Sequence, residues 1–594
     1  MGRPDTHTVS RPARPFSLTP TTRVEGHDGD AWQGWTAVAQ TIADAGGGVV
    51  VVECYTAVDV DEVVAHLAPA LGDPLVIRTE GALRAPDEIE ALVAPDLTDD
   101  PVFGRLTDLD LDAFFHPARL DTLREQVESA GGAVLAVGVG AALVHPGDVL
   151  VYADMPRWEH HLRYRRGEAS NLGADNAGER SSLQYKRGYF VDWRVLDRHK
   201  RALLPRWDFV LDTTRPGDPR LATGGAVRDA LRQVARRPFS PVPFFDPGPW
   251  GGQWMREVCG LDERDAAEGR ERPPNYAWCF NGVPEENSLL LQFGDVVVET
   301  PALNLVFAEP DALLGADVRA RFGEEFPIRF DFLDTMDGGN LSLQVHPREA
   351  YAREHFGLGY TQDESYYLMD AEPGAVVTLG LRDGVDPEAM ARDLRAARDG
   401  DAPFPADRYA ATWPVEPHDH VSIPAGTVHC SGAGCMVLEI SATPYLFTFK
   451  LWDWDRLDLD GRPRPINVER GLANIAWDRD AAWTRANLID QTETVAEGAG
   501  WREERTGLHP SEFIETRRHW FTAPTPRDTA GTVHVLCLVA GGAAVVESPA
   551  RAFEPMTVGY AEVVVVPAAV GPYVVRPAPG EDGPCATLTA FVRS

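Results

Sequence analysis

Between residues 31 and 216, stretches with helical apolar spacing alternate with short unbroken apolar runs. "TAVAQTIADAGG", "DVDEVVAHLAPALG" and "LDTLREQVESAGG" carry the helical spacing, while "GGVVVVECY", "AVLAVGVG" and "DVLVYADMP" suit strands buried on both faces. Such alternation predicts an α/β domain with a mainly parallel sheet over 31–216. From "RRPFSPVPFFDPGPWGG" onward Pro and Gly punctuate short strands such as "SLLLQFGDVVVET", "NLSLQVHP", "ESYYLMD", "HVSIPAGTVH" and "CMVLEIS". That texture predicts an all-β domain over 241–490, interrupted by helices at "DPEAMARDLRAARDG" and "NVERGLANIAW". Hairpin spacing in the last stretch predicts a second, smaller β domain over 498–594. Residues 217–240 read as a linker. Residues 1–30, rich in Pro, Thr, Arg and Asp, read as a flexible tail.

A length of 594 residues exceeds what one core organises, which agrees with several domains. The net charge of -34 argues against nucleic-acid or anionic-membrane partners, because both would be repelled. No apolar run reaches the roughly 18–20 residues of a membrane span. The seven cysteines are scattered without a C-x-x-C pair, and no signal peptide opens the chain, so a reducing cytoplasm is expected.

The chemistry concentrates in "LSLQVHP". Alternate strand residues face opposite sides, so Leu341, Leu343 and Val345 share one face and Ser342, Gln344 and His346 the other. Glu364 follows on "ESYYLMD", His429 closes "IPAGTVH", and Glu439 lies opposite Met436, Leu438 and Ile440 on the return strand. Two imidazoles, a carboxylate and an amide oxygen make an N2O2 donor set for a divalent metal with open positions. Zinc is expected first, though manganese, iron or cobalt fits the same donors. Such an ion could polarise a carbonyl or hold two sugar oxygens.

"QVHP", "PAGTVH", "LEI" and "TFKLWDWDRLDLDGRPRPINVERGL", with "FFDPGPWGGQW", "NYAWCFNG" and "EEFPIRFDFLDT" upstream, resemble the class I mannose-6-phosphate isomerases, which are metal-dependent cupins. The likeness covers about 241–594. It implies a double-stranded β-helix (jelly-roll) fold, a zinc site from Gln344, His346, Glu364 and His429, and aldose–ketose isomerisation by proton transfer between C1 and C2. Glu439 is a candidate acid/base or an orienting group beside the metal. Lys450 is a candidate for stabilising enediolate charge, or a lysine on a solvated face.

Three positions depart from the family pattern. Asp331 and Gln362 stand where the family carries lysines, and Lys450 stands where its bacterial members carry arginine. A phosphate needs fixed cations, and Ser342, which matches a serine the family uses near phosphate, is weak compensation. Arg329, on the same side as Asp331, or Arg348 could supply the missing charge. The alternatives are an unphosphorylated sugar or a regulatory sugar-binding protein without turnover. The second β domain offers only His534 among soft ligands and is expected to be metal-free.

Residues 31–216 resemble, more diffusely, P-loop nucleoside kinases of the uridine-kinase type. The phosphate-binding position reads "ECYTAVDVDEV", without glycine or lysine and with Asp59 and Asp61 to repel phosphate. A kinase-like fold without phosphoryl transfer is expected there, with a structural or homodimer-forming role. A bifunctional kinase–isomerase is the remaining rival.

Overall fold

The computed structural model describes residues 14–443, 446–457 and 464–593. The chain forms two compact units: one from 21–234 together with 284–309, the other from 235–283 and 310–594 with the residues before 21.

The first unit is built on a seven-stranded sheet. Its five parallel strands lie in the order Leu75–Arg78, Val134–Gly138, Val49–Cys54, Val149–Asp154 and Phe209–Asp212. The earliest of them in the chain is therefore central. The valine-rich runs are buried as the pattern required, and Val38, Ile42, Val63 and Leu67 of two helices complete the core against Val50, Val52 and Val137. Arg220–Thr223 and Ala31–Gln33 extend the sheet antiparallel.

Three expectations fail here. The 217–240 segment is no linker: Arg220–Thr223 joins the sheet, and Gly224–Val234 is a helix burying Ala226, Val227, Ala230, Leu231 and Val234. That apolar spacing repeats every three to four residues, which is what makes the segment a helix. "SLLLQFGDVVVET" belongs to this unit rather than to the β domain, as the hairpin Ser288–Phe293 and Val296–Pro301. Thr21–Arg23, within the expected tail, adds a parallel strand to that hairpin. Residues 1–13 of the tail lie outside the described residues.

The second unit holds two antiparallel double sheets. In the first, a six-stranded sheet contains, in order, His420–Ile423, Glu364–Ala371, Cys435–Ala442, Ile328–Asp334, Trp278–Phe280 and Phe244–Asp246. A five-stranded sheet contains Ala410–Pro414, Val376–Leu381, His429–Ser431, Leu343–Val345 and Phe449–Trp452. The helices Pro387–Arg398 and Val468–Asn474 interrupt this barrel where helical spacing interrupts the strand pattern. The second barrel pairs a six-stranded sheet running from Glu493–Gly498 to Val563–Val566 with a four-stranded one from Thr525–Asp528 to Met556–Gly559. No helix among the described residues is long and apolar enough to cross a membrane.

Candidate metal centre

Strand register assembles the centre. Gln344 lies opposite His429 on one side and Lys450 on the other, so all three share a face. Glu364 enters from the facing sheet, where it pairs with Ser441, itself the partner of Arg329. Gly426 fixes the approach of the histidine segments: its φ is 91°, and its N–H donates to the His346 carbonyl at 3.1 Å. A Cβ there would sit 3.0 Å from the Asn474 carbonyl oxygen, so glycine suits the turn.

One ligand atom each of His346, Glu364 and His429 lies within 4.8 Å of the others, and all three residues are buried. His346 Nδ1 faces the Phe447 carbonyl at 3.3 Å and His429 Nδ1 that of Thr427 at 2.8 Å. A carbonyl only accepts, so in the neutral rings each Nδ1 carries the proton and each Nε2 a lone pair. Those lone pairs point at Glu364, 3.0 Å from its Oε2 and 2.9 Å from its Oε1. Acceptors converging in a dry site repel one another unless a cation lies among them. His346 Nε2 and Glu364 Oε1 are buried without a hydrogen bond, so the donor set fits a divalent metal. The Gln344 amide comes within 3.1 Å of His429 Nε2, and turned over it would present its oxygen as a fourth donor.

The other expected site residues fall into two groups. Arg329 is buried between two carboxylates, donating to Asp331 at 2.7 Å and to Glu439 at 3.0 Å. Its charge is thus already answered. Burial pushes Asp331 up to about 6, with Arg329 opposing and Glu364 reinforcing the shift. Burial, then the charges of Asp331 and Glu364, raise Glu439 well above the usual carboxylate range. Gln362 donates to Glu364 at 3.2 Å and so touches the metal-ligand carboxylate. Arg348 spends its backbone N–H on Asn474 and its guanidinium on the Ala473 carbonyl, away from these groups.

Ser342 leads to residues the sequence reading missed. Its hydroxyl donates to Asp453 at 2.9 Å, and Arg464 and Arg456 bracket the same carboxylate at 2.7 and 2.9 Å. Arg464 also reaches Ser342 at 3.5 Å. The signal lay within "DWDRLDLDGRPRP", whose residues 458–463 fall outside the described residues. Lys450 keeps the face of Gln344, which disfavours the solvated-face alternative.

Known proteins resemble parts of this chain. Residues 34–236, all but the last two in the first unit, match a family described as "Domain of unknown function (DUF8485)". The mannose-6-phosphate isomerase of Streptococcus mutans is 29% identical over 252 residues, 42% of this chain and 72% of that protein. The probable mannose-6-phosphate isomerase GmuF of Bacillus subtilis is 30% identical over 236 residues, 40% of this chain and 67% of that protein. The crystal structure of the mannose 6-phosphate isomerase from Bacillus subtilis, 16% identical, covers 60% of this chain and 99% of that one with a TM-score of 0.45. With relatives of that identity and coverage aligned to it, the chain belongs to the mannose-6-phosphate isomerase family.

Proposed function

We propose that this protein is a metal-dependent aldose–ketose isomerase that interconverts mannose 6-phosphate and fructose 6-phosphate. The observation that carries the proposal is the convergence of His346, Glu364 and His429 on one dry point beside a reserve of protonatable carboxylates. His346, Glu364, His429 and Gln344 would hold the ion, zinc being our first choice. Bound there, it would supply Lewis-acid polarisation of the sugar oxygens.

Glu439 has the character of a proton carrier between C2 and C1. It is buried, its proton affinity is raised, and Arg329 stands beside it to steady the charged form. Gln362 would orient Glu364, a positioning role. Lys450, on the face of Gln344, is the candidate for countering enediolate charge. Arg329 is committed to Asp331 and Glu439, so we do not assign the phosphate to it. We assign the phosphate-bearing end of the sugar to Ser342, Arg456 and Arg464, whose two positive charges exceed the single charge of Asp453.

The first unit we read as kinase-like without phosphoryl transfer. Its central strand Val49–Cys54 is followed by a helix whose N-terminus is capped internally, Asp59 accepting from the Glu62 N–H at 2.9 Å. A carboxylate there takes the place a phosphate would need. The described cysteines are free and buried, which suits a cytoplasmic protein.

The deciding experiment is turnover by the zinc-loaded protein on mannose 6-phosphate against free mannose. Preference for the phosphosugar supports the proposal. Turnover of free mannose alone would shift the function to an unphosphorylated sugar, and binding without turnover to a sugar sensor.

A further inference from the structure

The interior of the second barrel changes character from end to end. Phe521, Leu536, Val575 and Cys585 belong to an apolar core. Two residues along the same faces the lining turns polar: His519 from Phe521, His534 from Leu536, Tyr573 from Val575 and Thr587 from Cys585. Register agrees, with His519 opposite Thr587 and Arg527 opposite Tyr573.

Arg527 reaches from the four-stranded sheet to the six-stranded one, donating to Thr587 Oγ1 at 2.6 Å and Thr589 Oγ1 at 3.0 Å. These partners are neutral, and its Nε is buried with no hydrogen-bond partner. Glu503, opposite His519 in the neighbouring strand, is itself paired with Arg517 at 3.1 Å. The charge of Glu503 acts on the Arg527 guanidinium without a hydrogen bond to it, which leaves a buried Nε–H donor open to an anion's oxygen. It is the more telling in a chain whose net charge is -34.

His519 adds a second demand. Its side chain is 8% exposed, its Nε2 lies 3.5 Å from Glu503, and its Nδ1 has no hydrogen-bond partner. With the proton on Nε2, facing the carboxylate, Nδ1 is an acceptor that needs a hydroxyl. His534 is occupied, sharing a hydrogen bond of 2.9 Å with the Tyr573 hydroxyl. Among the described residues the one group of His, Cys, Asp and Glu close enough to hold a metal is in the other barrel, so these histidines do not form a metal site.

We propose that the polar end of the second barrel binds a small hydroxylated anion. Arg527 takes its carboxylate or phosphate group, and His519 Nδ1 accepts from a ligand hydroxyl beside it. Thr587, Thr589 and Tyr573 fix the guanidinium. This site is independent of the metal centre and of the isomerase reading.

Calorimetric titration of the full-length, zinc-loaded protein with glycerate, inorganic phosphate and uncharged glycerol tests it. Saturable binding of glycerate or phosphate, with glycerol silent, is expected, and the stronger of the two names the acid group. R527Q should weaken binding at least about tenfold, and the near-isosteric T589V, which keeps the charge, by a smaller factor. The double variant H346A/H429A should bind as wild type does, which separates this site from the first barrel. No binding at tens of millimolar, equal binding of glycerol, unchanged affinity in both R527Q and T589V, or loss of binding in H346A/H429A would each overturn the proposal.

Discussion

Asp331 and Glu439 face each other across neighbouring strands of the metal-bearing barrel, and the single guanidinium of Arg329 holds both, at 2.7 and 3.0 Å. All three side chains are buried, so Arg329 is what permits two carboxylates to coexist there. R329M should cost about 1–3 kcal/mol of stability, because it takes the hydrogen-bond donor from two buried carboxyl groups and drives them to take up protons. R329M/D331N should recover part of that loss, since one of the opposed carboxylates is then gone. Urea unfolding of the two variants checks both halves of the statement.

Metal retention should follow the imidazoles. H346A and H429A together are expected to abolish bound zinc measured by elemental analysis, and turnover with it. Q344A should weaken binding by about 10–100-fold if its amide is a donor. Full metal content in the double variant would refute the assignment of the centre.

The phosphate assignment separates KM from kcat. R464Q should raise KM for mannose 6-phosphate by about 10–100-fold, the worth of one charge-assisted contact, with kcat changed by less than about threefold. Any turnover of free mannose should be unaffected. An unchanged KM would move the phosphate elsewhere.

Burial pulls His519 down to about 4 and His534 to about 3, with Arg527 adding to both shifts. A histidine whose folded pKa is depressed binds fewer protons folded than unfolded. Its contribution is whole above about 6.5 and is lost as pH falls toward its folded pKa. For His519 the loss between pH 7 and pH 5 is about 2 kcal/mol. H519Q should flatten the acid side of the stability profile by that amount, which chemical unfolding across pH 5–8 measures.

Much of the first barrel was legible because period-two alternation is local: Ser342, Gln344 and His346 must share a face whatever surrounds them. That Arg329 shares a side with Asp331 was legible for the same reason. What engages Arg329 was not, because Glu439 arrives from a strand 110 residues away. Asp453 meets Ser342 across 111 residues, so the arginines it brings escaped a reading based on motifs. The helix Gly224–Val234 was missed despite its clear spacing, since the proline-rich stretch beside it suggested a boundary. The second barrel's polar end was invisible for another reason: His519, Arg527 and Tyr573 sit on three strands, none of which looks unusual alone.

The chain passes between its two units at residues 20/21, 234/235, 283/284 and 309/310. A truncation beginning at Ala235 would keep the hairpin of Ser288–Pro301 while discarding the Thr21–Arg23 strand that pairs with it. It would also discard the helix Gly224–Val234, which packs on Leu303–Ala308. Leu289, Leu291, Phe293 and Val298, all buried, would lose part of their cover and invite aggregation. Two proteins fused end to end can be parted by one cut. This chain is laced rather than joined, so neither unit can be removed whole by trimming one end.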